Sequence, residues 1–194
     1  MTSCPSPKIQ VYPAIEYQFL NTIYPICHNS ELILMPGIIS NEEISGYISE
    51  KKLFDESFLR NFNPRVILGH KRKVIETIGA QGNKFRLFYR ENVKYPLDFS
   101  VGLCLIQPDA EDFCLTRYNG KSHIHKNKCP AGERFYNFHI HIATKECQES
   151  GTHEEDFAIV TDKYTTARQA LECLIRDCGF ETKQASLSVF GGGT

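Results

Sequence analysis

Four of the seven histidines fall within nineteen residues as two His-x-His pairs, His123 with His125 and His139 with His141. In an extended strand, side chains two positions apart project from the same face, so each pair presents two imidazoles together. Imidazole titrates near physiological pH and is also the commonest metal ligand in proteins. The pairs therefore predict either proton transfer or metal ligation, and their spacing alone does not choose between the two.

Proton transfer by these histidines is suited to metal-independent cleavage of RNA. The reaction needs a base for the 2′-hydroxyl proton, an acid for the leaving oxygen and cations for the charged phosphorus centre. Positioned acid–base groups typically contribute about 10²–10⁴-fold to such a step. We expect His139 and His141 to be the base and acid, in either order, with His123 and His125 as supporting catalytic groups.

Two other functions compete with RNA cleavage. Four histidines, with Glu133, could bind a transition metal, because alternate strand residues can converge on one ion. The lysines around the pairs oppose a divalent cation, so we expect no metal and no other cofactor. The same surface could instead bind nucleic acid or a protein, including as an inhibitor, without chemistry, since aromatic side chains between basic ones can stack unpaired bases.

The net charge is −1, but the charges are segregated along the chain. Residues 60–94 hold nine Lys or Arg against two acids, and residues 117–145 hold six against Glu133. Such stretches predict a basic surface for phosphates, and the alternative is a set of separate solvated charges. The expected contacts to RNA or another nucleic acid are Arg117, Tyr118, Asn119, Lys121, Lys126, Lys128, Lys71, Arg72, Lys73, Arg86 and Arg90. Of these, Arg117 or Lys121 would stabilise charge during cleavage.

The residue pattern predicts an α+β fold, with an antiparallel β-meander, a C-terminal amphipathic helix packed on one face and a helical N-terminal segment. Ser40 and Glu43 have capping-box spacing, which favours a helix from Asn41 that runs, with a break at Gly46, to about Leu59. Apolar spacing predicts another helix over Thr165–Cys178, started by Thr161 or Asp162 and ended at Gly179. The predicted strands are Arg65–Ile78, Lys84–Arg90, Leu97–Ile106, Asp112–Tyr118 and Arg134–Ala143.

Alternation in the last predicted strand assigns its two faces. Tyr136, Phe138, Ile140 and Ile142 are expected to face the core, and Phe135, Asn137, His139 and His141 the opposite, polar side. The Asn119-Gly120 turn lies between Arg117 and the first histidine pair, and its glycine would let the backbone approach a ligand closely. The histidines are thus expected on a polar face beside an amide.

The chain divides into an N-terminal irregular and helical segment, 1–64, an α+β core domain, 65–182, and a C-terminal tail, 183–194. No secretory signal and no apolar run of about 20 residues is visible, so we expect a cytoplasmic protein without membrane contact. Because the cytoplasm is reducing, we expect the cysteines to be reduced thiols. The four with apolar neighbours are expected in the core: Cys104, Cys114, Cys173 and Cys178.

From about Lys71 to Phe180 the chain resembles an uncharacterised family of bacterial and phage-associated proteins. The resemblance lies in Arg117-Tyr118-Asn119-Gly120, His123-x-His125-x-Asn127, Phe138-His139-Ile140-His141-x-Ala143-Thr144, Thr161-Asp162-x-Tyr164 and Ala170-Leu171-x-Cys173-Leu174. A looser similarity is to the TumE-like toxins of toxin–antitoxin modules, which share a basic strand like Phe85–Tyr89 and a closing helix. It implies a ribonuclease-like role in a toxin–antitoxin or phage-defence setting, with an antitoxin or defence component as protein partner. The chain departs from those toxins by adding the second His-x-His strand and a long N-terminal region.

Overall fold

The computed structural model describes residues 37–54, 57–108, 110–153 and 156–182. Expectations for residues 1–36 and for the tail 183–194 lie outside the described residues. In chain order the elements are α1 (Asn41–Ser49), β1 (Lys52–Phe54), α2 (Ser57–Arg60), β2 (Arg65–Ile67), β3 (His70–Ile78), β4 (Lys84–Asn92), β5 (Phe99–Leu105), β6 (Phe113–Asn119), β7 (His125–Lys128), β8 (Ala131–Phe135), β9 (His139–Ile142), α3 (Lys145–Glu149), β10 (Ala158–Val160), α4 (Ala167–Asp177) and β11 (Phe180–Thr182).

Seven strands form one antiparallel sheet in the order β10-β9-β6-β5-β4-β3-β2. Strands β2 to β6 are a meander of consecutive neighbours. The chain then leaves the sheet as a separate two-stranded ribbon, β7–β8, and returns with β9 beside β6. These observations confirm the predicted α+β class, its antiparallel meander and its C-terminal helix packed on the sheet.

Helix α4 covers one face of the sheet with the apolar stripe that its spacing predicts. Its buried residues are Ala167, Ala170, Leu171, Cys173, Leu174 and Ile175, and they share a core with Phe85, Leu87, Val101 and Leu103 of β4 and β5. The helix begins two residues later than expected, because the Thr166 side chain accepts a hydrogen bond from the Gln169 amide and so caps it. Gly179 follows with a φ of +69°, as the predicted C-terminal stop requires.

Helix α1 begins with the predicted capping box, in which the Ser40 hydroxyl and the Glu43 carboxylate each accept a backbone N–H. Its Ile44 is buried in the common core. Leu59 lies in the separate short helix α2, so the expectation that α1 breaks at Gly46 and continues toward Leu59 is wrong. Helix α1 ends at Ser49, because Lys52–Phe54 pair in parallel with Phe180–Thr182 instead.

Lys52 is fully buried at this parallel pair. Its ammonium donates to the carbonyls of Tyr47, Ile48 and Glu50 at the end of α1 and of Cys178 at the end of α4, at 2.8–3.1 Å. Burial lowers the pKa of Lys52 to about 8, since the charged form loses its hydration.

Two predicted strands are each split in the structure. Arg65–Ile78 is interrupted by a turn at Leu68 and Gly69, where both residues have positive φ. Arg134–Ala143 is interrupted after Phe135, and β9 begins only at His139. Tyr136 lies in that break and is 55% exposed, so its assignment to the core is wrong. Phe138 and Ile140 do contact the apolar core, as predicted.

The cysteines only partly match the expectation of reduced thiols. Cys104, Cys173 and Cys178 are free and buried, and Cys114 is half-buried. However, Cys129 and Cys147 form a disulfide that joins the β7–β8 turn to α3. Among the helices that the structure describes, none combines the length and the apolar character needed to cross a membrane.

Candidate functional site

The register of the sheet places two rows of opposed residues on the face away from α4. Directly opposed residues of antiparallel strands project from the same face. One row runs Arg90, Ser100, Asn119, His139, and the next runs Phe88, Gly102, Arg117, His141. The second histidine pair therefore stands beside an amide, a hydroxyl and a guanidinium that come from neighbouring strands.

The β7–β8 ribbon brings the first histidine pair onto the second. The His125 ring is stacked on His139 with centroids 5.1 Å apart, and it meets His141 edge-on at 4.7 Å. The His139 and His141 centroids are 4.9 Å apart, and His123 lies 5.6 Å from His139. The structure thus gathers all four imidazoles into one group, which we call the histidine cluster (His123, His125, His139, His141).

The cluster is layered from the protein interior to the solvent. His139 and His141 are 0% and 3% exposed, whereas His125 is half-buried and His123 is exposed. The face is polar and places an amide beside the rings, as predicted, but both rings are buried. The ribbon covers them, and the ring of its Phe135 lies 5.5 Å from that of His139.

Hydrogen bonds fix the protonated nitrogen of His139. Its Nδ1 lies 2.8 Å from the Asn137 carbonyl oxygen, which can only accept, so Nδ1 carries the proton. Nε2 therefore holds the lone pair, and Asn119 Nδ2 approaches it at 3.5 Å. Ser100 donates to Asn119 Oδ1 at 2.8 Å and so turns the amide nitrogen toward His139. Burial lowers the pKa of His139 to about 4, against the opposing effect of the hydrogen bond to Asn137, so the ring is neutral at pH 7.

Asn127 fixes the protonated nitrogen of His125 in the same way. The Asn127 side chain pairs with both backbone groups of Ala158: Nδ2 donates to the carbonyl at 3.0 Å, and Oδ1 accepts from the amide at 2.8 Å. The same oxygen lies 3.0 Å from His125 Nε2, which must therefore be the donor. Burial lowers the pKa of His125 as well. Sequence reasoning assigned Asn127 no role, although it follows the first pair in the quoted His-x-His-x-Asn pattern.

Three rings of the cluster meet the basic geometric requirement for a metal site. One ring nitrogen from each of His123, His125 and His139 lies within 4.8 Å of the other two. Tetrahedral zinc, with Zn–N bonds of about 2.0–2.1 Å, places its ligand nitrogens roughly 3.3 Å apart. Where the nitrogens lie farther apart than this, zinc binding would draw the rings closer together. Metal-binding histidines usually donate their second N–H to a carbonyl or carboxylate, and the bonds to Asn137 and Asn127 are of this kind.

Few of the predicted phosphate contacts lie near the cluster. Arg117 is opposite His141 in the sheet, and its charge contributes to the lowered pKa of His125 and His139. Lys121 is close in sequence, with its ammonium 5.2 Å from the Phe138 ring. Lys126 and Lys128 are exposed residues that alternate with His125 and Asn127, so they point away from the cluster, and Lys128 pairs with Asp156 at 2.9 Å.

The structure separates the remaining predicted contacts. Arg72, Arg86 and Arg90 share the face of the histidine rows, but β4 is three strands from β9, or roughly 14 Å at the usual strand spacing. Arg86 pairs with Glu76 and Asp112, and Arg90 pairs with Asp98. Lys71 and Lys73 project from the opposite face, where Lys71 binds Glu91 and Lys73 lies over Phe62.

Two predicted contact residues are buried and cannot meet a nucleic acid at the surface. Tyr118 is 4% exposed on the core face, where its hydroxyl donates to Asp177, so the interpretation as a base-stacking residue is wrong. Asn119 is 5% exposed and is held by Ser100 beside His139, so it supports the cluster instead. The carbonyls of Asn119 and His139 both accept from the Tyr164 hydroxyl, which fixes this end of the β6–β9 pair.

Comparisons of the chain with protein-family models, curated proteins and solved structures give no match. The class that the structure defines is therefore an α+β protein with a covered histidine cluster on one sheet face. The resemblances drawn from the sequence motifs stay predictions.

Proposed function

We propose that the histidine cluster is the metal centre of a hydrolytic enzyme that acts on phosphodiesters. The observation that carries this proposal is the approach of three ring nitrogens, from His123, His125 and His139, to within 4.8 Å of one another. Three imidazoles with one side toward solvent are the donor set of catalytic zinc sites. An ion held in this way would lower the pKa of a water molecule that it binds to about 7.

The surrounding side chains supply positioning and charge. Asn127 and the Asn137 carbonyl hold His125 and His139 in defined protonation states, each with one unprotonated ring nitrogen that could act as a ligand. At His139 the ion would replace the 3.5 Å contact between this nitrogen and the Asn119 amide. Arg117, opposite His141, provides a guanidinium on the same face. Guanidinium groups bind phosphate oxygens in a two-pronged geometry, so Arg117 is suited to hold the phosphodiester and to offset the charge that develops on it.

Metal-independent RNA cleavage is the second candidate, supported by the gathering of four imidazoles beside Arg117. In this case the low pKa of His139 keeps its ring unprotonated at neutral pH, so another ring would have to be the acid. We rank it below the metal centre because two of the rings lie under the β7–β8 ribbon. The toxin–antitoxin or phage-defence setting and the protein partner are likewise predictions.

Zinc binding tests the metal centre directly. The full chain would be titrated with Zn²⁺ against a chromophoric chelator, alongside His123→Ala and His125→Ala. His153→Ala is the matched control, because His153 is exposed and lies outside the group of three ligands. We expect one ion per chain for the wild type and the control, and weakened binding for both cluster variants. Absent binding, or equal binding by all four proteins, would overturn the proposal.

Cleavage assays separate the candidate functions. Single-stranded RNA would be incubated with the wild type, with and without EDTA, and with Zn²⁺ added back. Cleavage that EDTA stops and zinc restores supports the metal centre. Cleavage that EDTA leaves unchanged and His139→Ala abolishes supports the second candidate. Salt-dependent binding without cleavage identifies a non-catalytic nucleic-acid-binding module instead.

A further inference from the structure

A cavity of about 590 Å³ opens next to the exposed side of the histidine cluster. Its walls come from the β4–β5 turn, with Lys94 and Tyr95, from the loop after β6, with Lys121 and Ser122, and from Tyr136. The Ser122 hydroxyl lies 3.4 Å from His123 Nδ1. The cavity and the cluster are thus neighbours through consecutive residues of one loop.

Gly120 holds the two loops of this cavity together. A β-carbon at this position would overlap the Leu97 carbonyl oxygen, and the Gly120 amide donates to the Phe99 carbonyl at 3.0 Å. The Asn119-Gly120 pair predicted that the backbone would approach a ligand closely. In the structure the backbone at Gly120 closely approaches the loop between β4 and β5 instead. This contact places Lys121 and Ser122 against the β4–β5 turn, so the cavity is a built feature of the fold.

The charge of the cavity wall is positive. Among the residues that the structure describes, neither the Lys94 nor the Lys121 ammonium pairs with a carboxylate; each lies 5.2 Å from an aromatic ring. Asp98 is the acid in the wall, and its carboxylate is already held by Arg90 and Asn92, each at 3.0 Å. Many cations elsewhere on the protein are neutralised by an acid, as Lys71 and Lys128 are. The cavity therefore favours an anion.

The cavity also offers aromatic surface. Tyr95 and Tyr136 are 59% and 55% exposed, so two large rings line the cavity without being covered by the protein. Exposed rings next to cations are typical of sites that stack the bases of single-stranded nucleic acid. A volume of about 590 Å³ falls within the range of small-molecule sites.

We propose that this cavity binds one nucleotide, with its base against Tyr95 or Tyr136 and its phosphate between Lys94 and Lys121. The bound nucleotide would then lie next to His123. Its role as substrate rests on the proposed function, but its binding needs no metal. The same chemistry is present in a free mononucleotide and in one unit of a single-stranded chain.

Binding to the chelator-treated full chain tests the inference. The probes are adenosine monophosphate, adenosine, inorganic phosphate and a fluorescein-labelled hexa-adenylate. We expect the monophosphate to bind more tightly than adenosine or phosphate, and tighter binding of the hexamer would identify the single strand as the source. Tyr95→Ala or Tyr136→Ala, whichever removes the stacked ring, should weaken nucleotide binding at least about 5-fold, given the usual worth of one stacked base, and no loss in either variant would overturn the inference. Lys94→Ala should weaken nucleotide binding too.

Lys84→Ala is the matched control, since Lys84 is an exposed lysine at the other end of β4. Equal losses in Lys84→Ala and Lys94→Ala, equal affinity for phosphate and monophosphate, or no binding at millimolar nucleotide would overturn the inference. Zinc titration of Lys94→Ala and Tyr136→Ala keeps the two proposals apart. If zinc binds and the nucleotide does not, only the proposal of a nucleotide site is overturned. If the nucleotide binds and zinc does not, only the proposal of a metal centre is overturned.

Discussion

The two faces of the seven-stranded sheet are built on different principles. On the α4 face, Leu87, Leu103 and Leu171 are at most 1% exposed and pack apolar surface against apolar surface. On the histidine face, strands β5, β6 and β9 carry Ser100, Asn119 and His139, which are connected by directional contacts. Apolar burial stabilises the fold whatever the detailed orientation of the groups. Buried polar groups contribute little net stability but hold defined geometry.

The stability of the fold and the geometry of the ligand groups therefore depend on opposite faces of one sheet. Substitutions on the α4 face should change the free energy of unfolding and leave ligand affinity intact. Substitutions on the histidine face should change ligand affinity and, at neutral pH, have a smaller effect on the free energy of unfolding. Four substitutions test this separation.

The largest expected effect is on the α4 face. Leu171→Ala should lower the free energy of unfolding by about 2–5 kcal/mol, because it leaves a cavity at a fully buried position. Urea titration measures the loss, and zinc affinity of the folded fraction should not change. The neighbouring exposed Glu172→Ala should stay within about 0.5 kcal/mol of wild type. Zinc affinity that falls together with stability would contradict the separation.

The next effect concerns pH and His139. Its pKa is about 4 in the folded chain and near 6.5 when unfolded, so between these values the unfolded state holds the extra proton. Metal-free wild type should therefore lose stability as pH falls from 6.5 to 4, by up to about 3 kcal/mol from this group. His139→Leu removes that contribution. Urea unfolding at pH 7 and pH 4.5 in chelator should show a smaller acid loss for the variant; equal losses would sink the assignment.

Asn127→Ala tests whether an amide outside the ligand group sets ligand geometry. Removing an outer partner of a metal-bound histidine typically costs about 10–100-fold in metal affinity. We expect zinc affinity to fall by that factor, and the ¹⁵N shifts of the His125 ring to report a changed protonated nitrogen. Asn61→Ala, at an exposed position, serves as the control. An unchanged His125 spectrum would show that Asn127 acts only through stability.

The smallest effect is expected at the cap of α1. Ser40→Ala removes one half of the capping box and should cost about 1 kcal/mol of unfolding free energy, with no change in zinc or nucleotide affinity. Thermal unfolding measures the change. Ser45→Ala, an exposed change within α1, should not destabilise the protein. A larger loss in Ser45→Ala than in Ser40→Ala would contradict the role of the cap.

Local signals in the sequence were sufficient for much of the fold. The period of Ala167, Ala170, Leu171 and Leu174 predicted the α4 stripe, and the Ser40–Glu43 spacing predicted the start of α1. The common face of His139 and His141 also followed from strand alternation. Applied to the basic stretches, the same alternation would have placed Lys71 and Lys73 on the opposite face from Arg72. It would likewise have placed Tyr118 on the opposite face from Arg117.

Local signals in the sequence did not predict that the β7–β8 ribbon covers the histidine cluster. The β7–β8 ribbon is held against the histidine cluster because Asn127 pairs with the backbone of Ala158, 31 positions away, and because Cys129 is joined to Cys147. No periodicity within the ribbon encodes these contacts. Burial of His139 and His141 follows from them, as does the break that exposes Tyr136.

Lys52 has a further consequence for how the molecule opens. The Lys52 ammonium donates hydrogen bonds to carbonyls at the ends of both α1 and α4. If fraying of one helix end displaces the ammonium, the other helix end therefore loses its hydrogen-bond donor as well. The ends of α1 and α4, together with the β1–β11 pair, should exchange their amide hydrogens as a single cooperative unit.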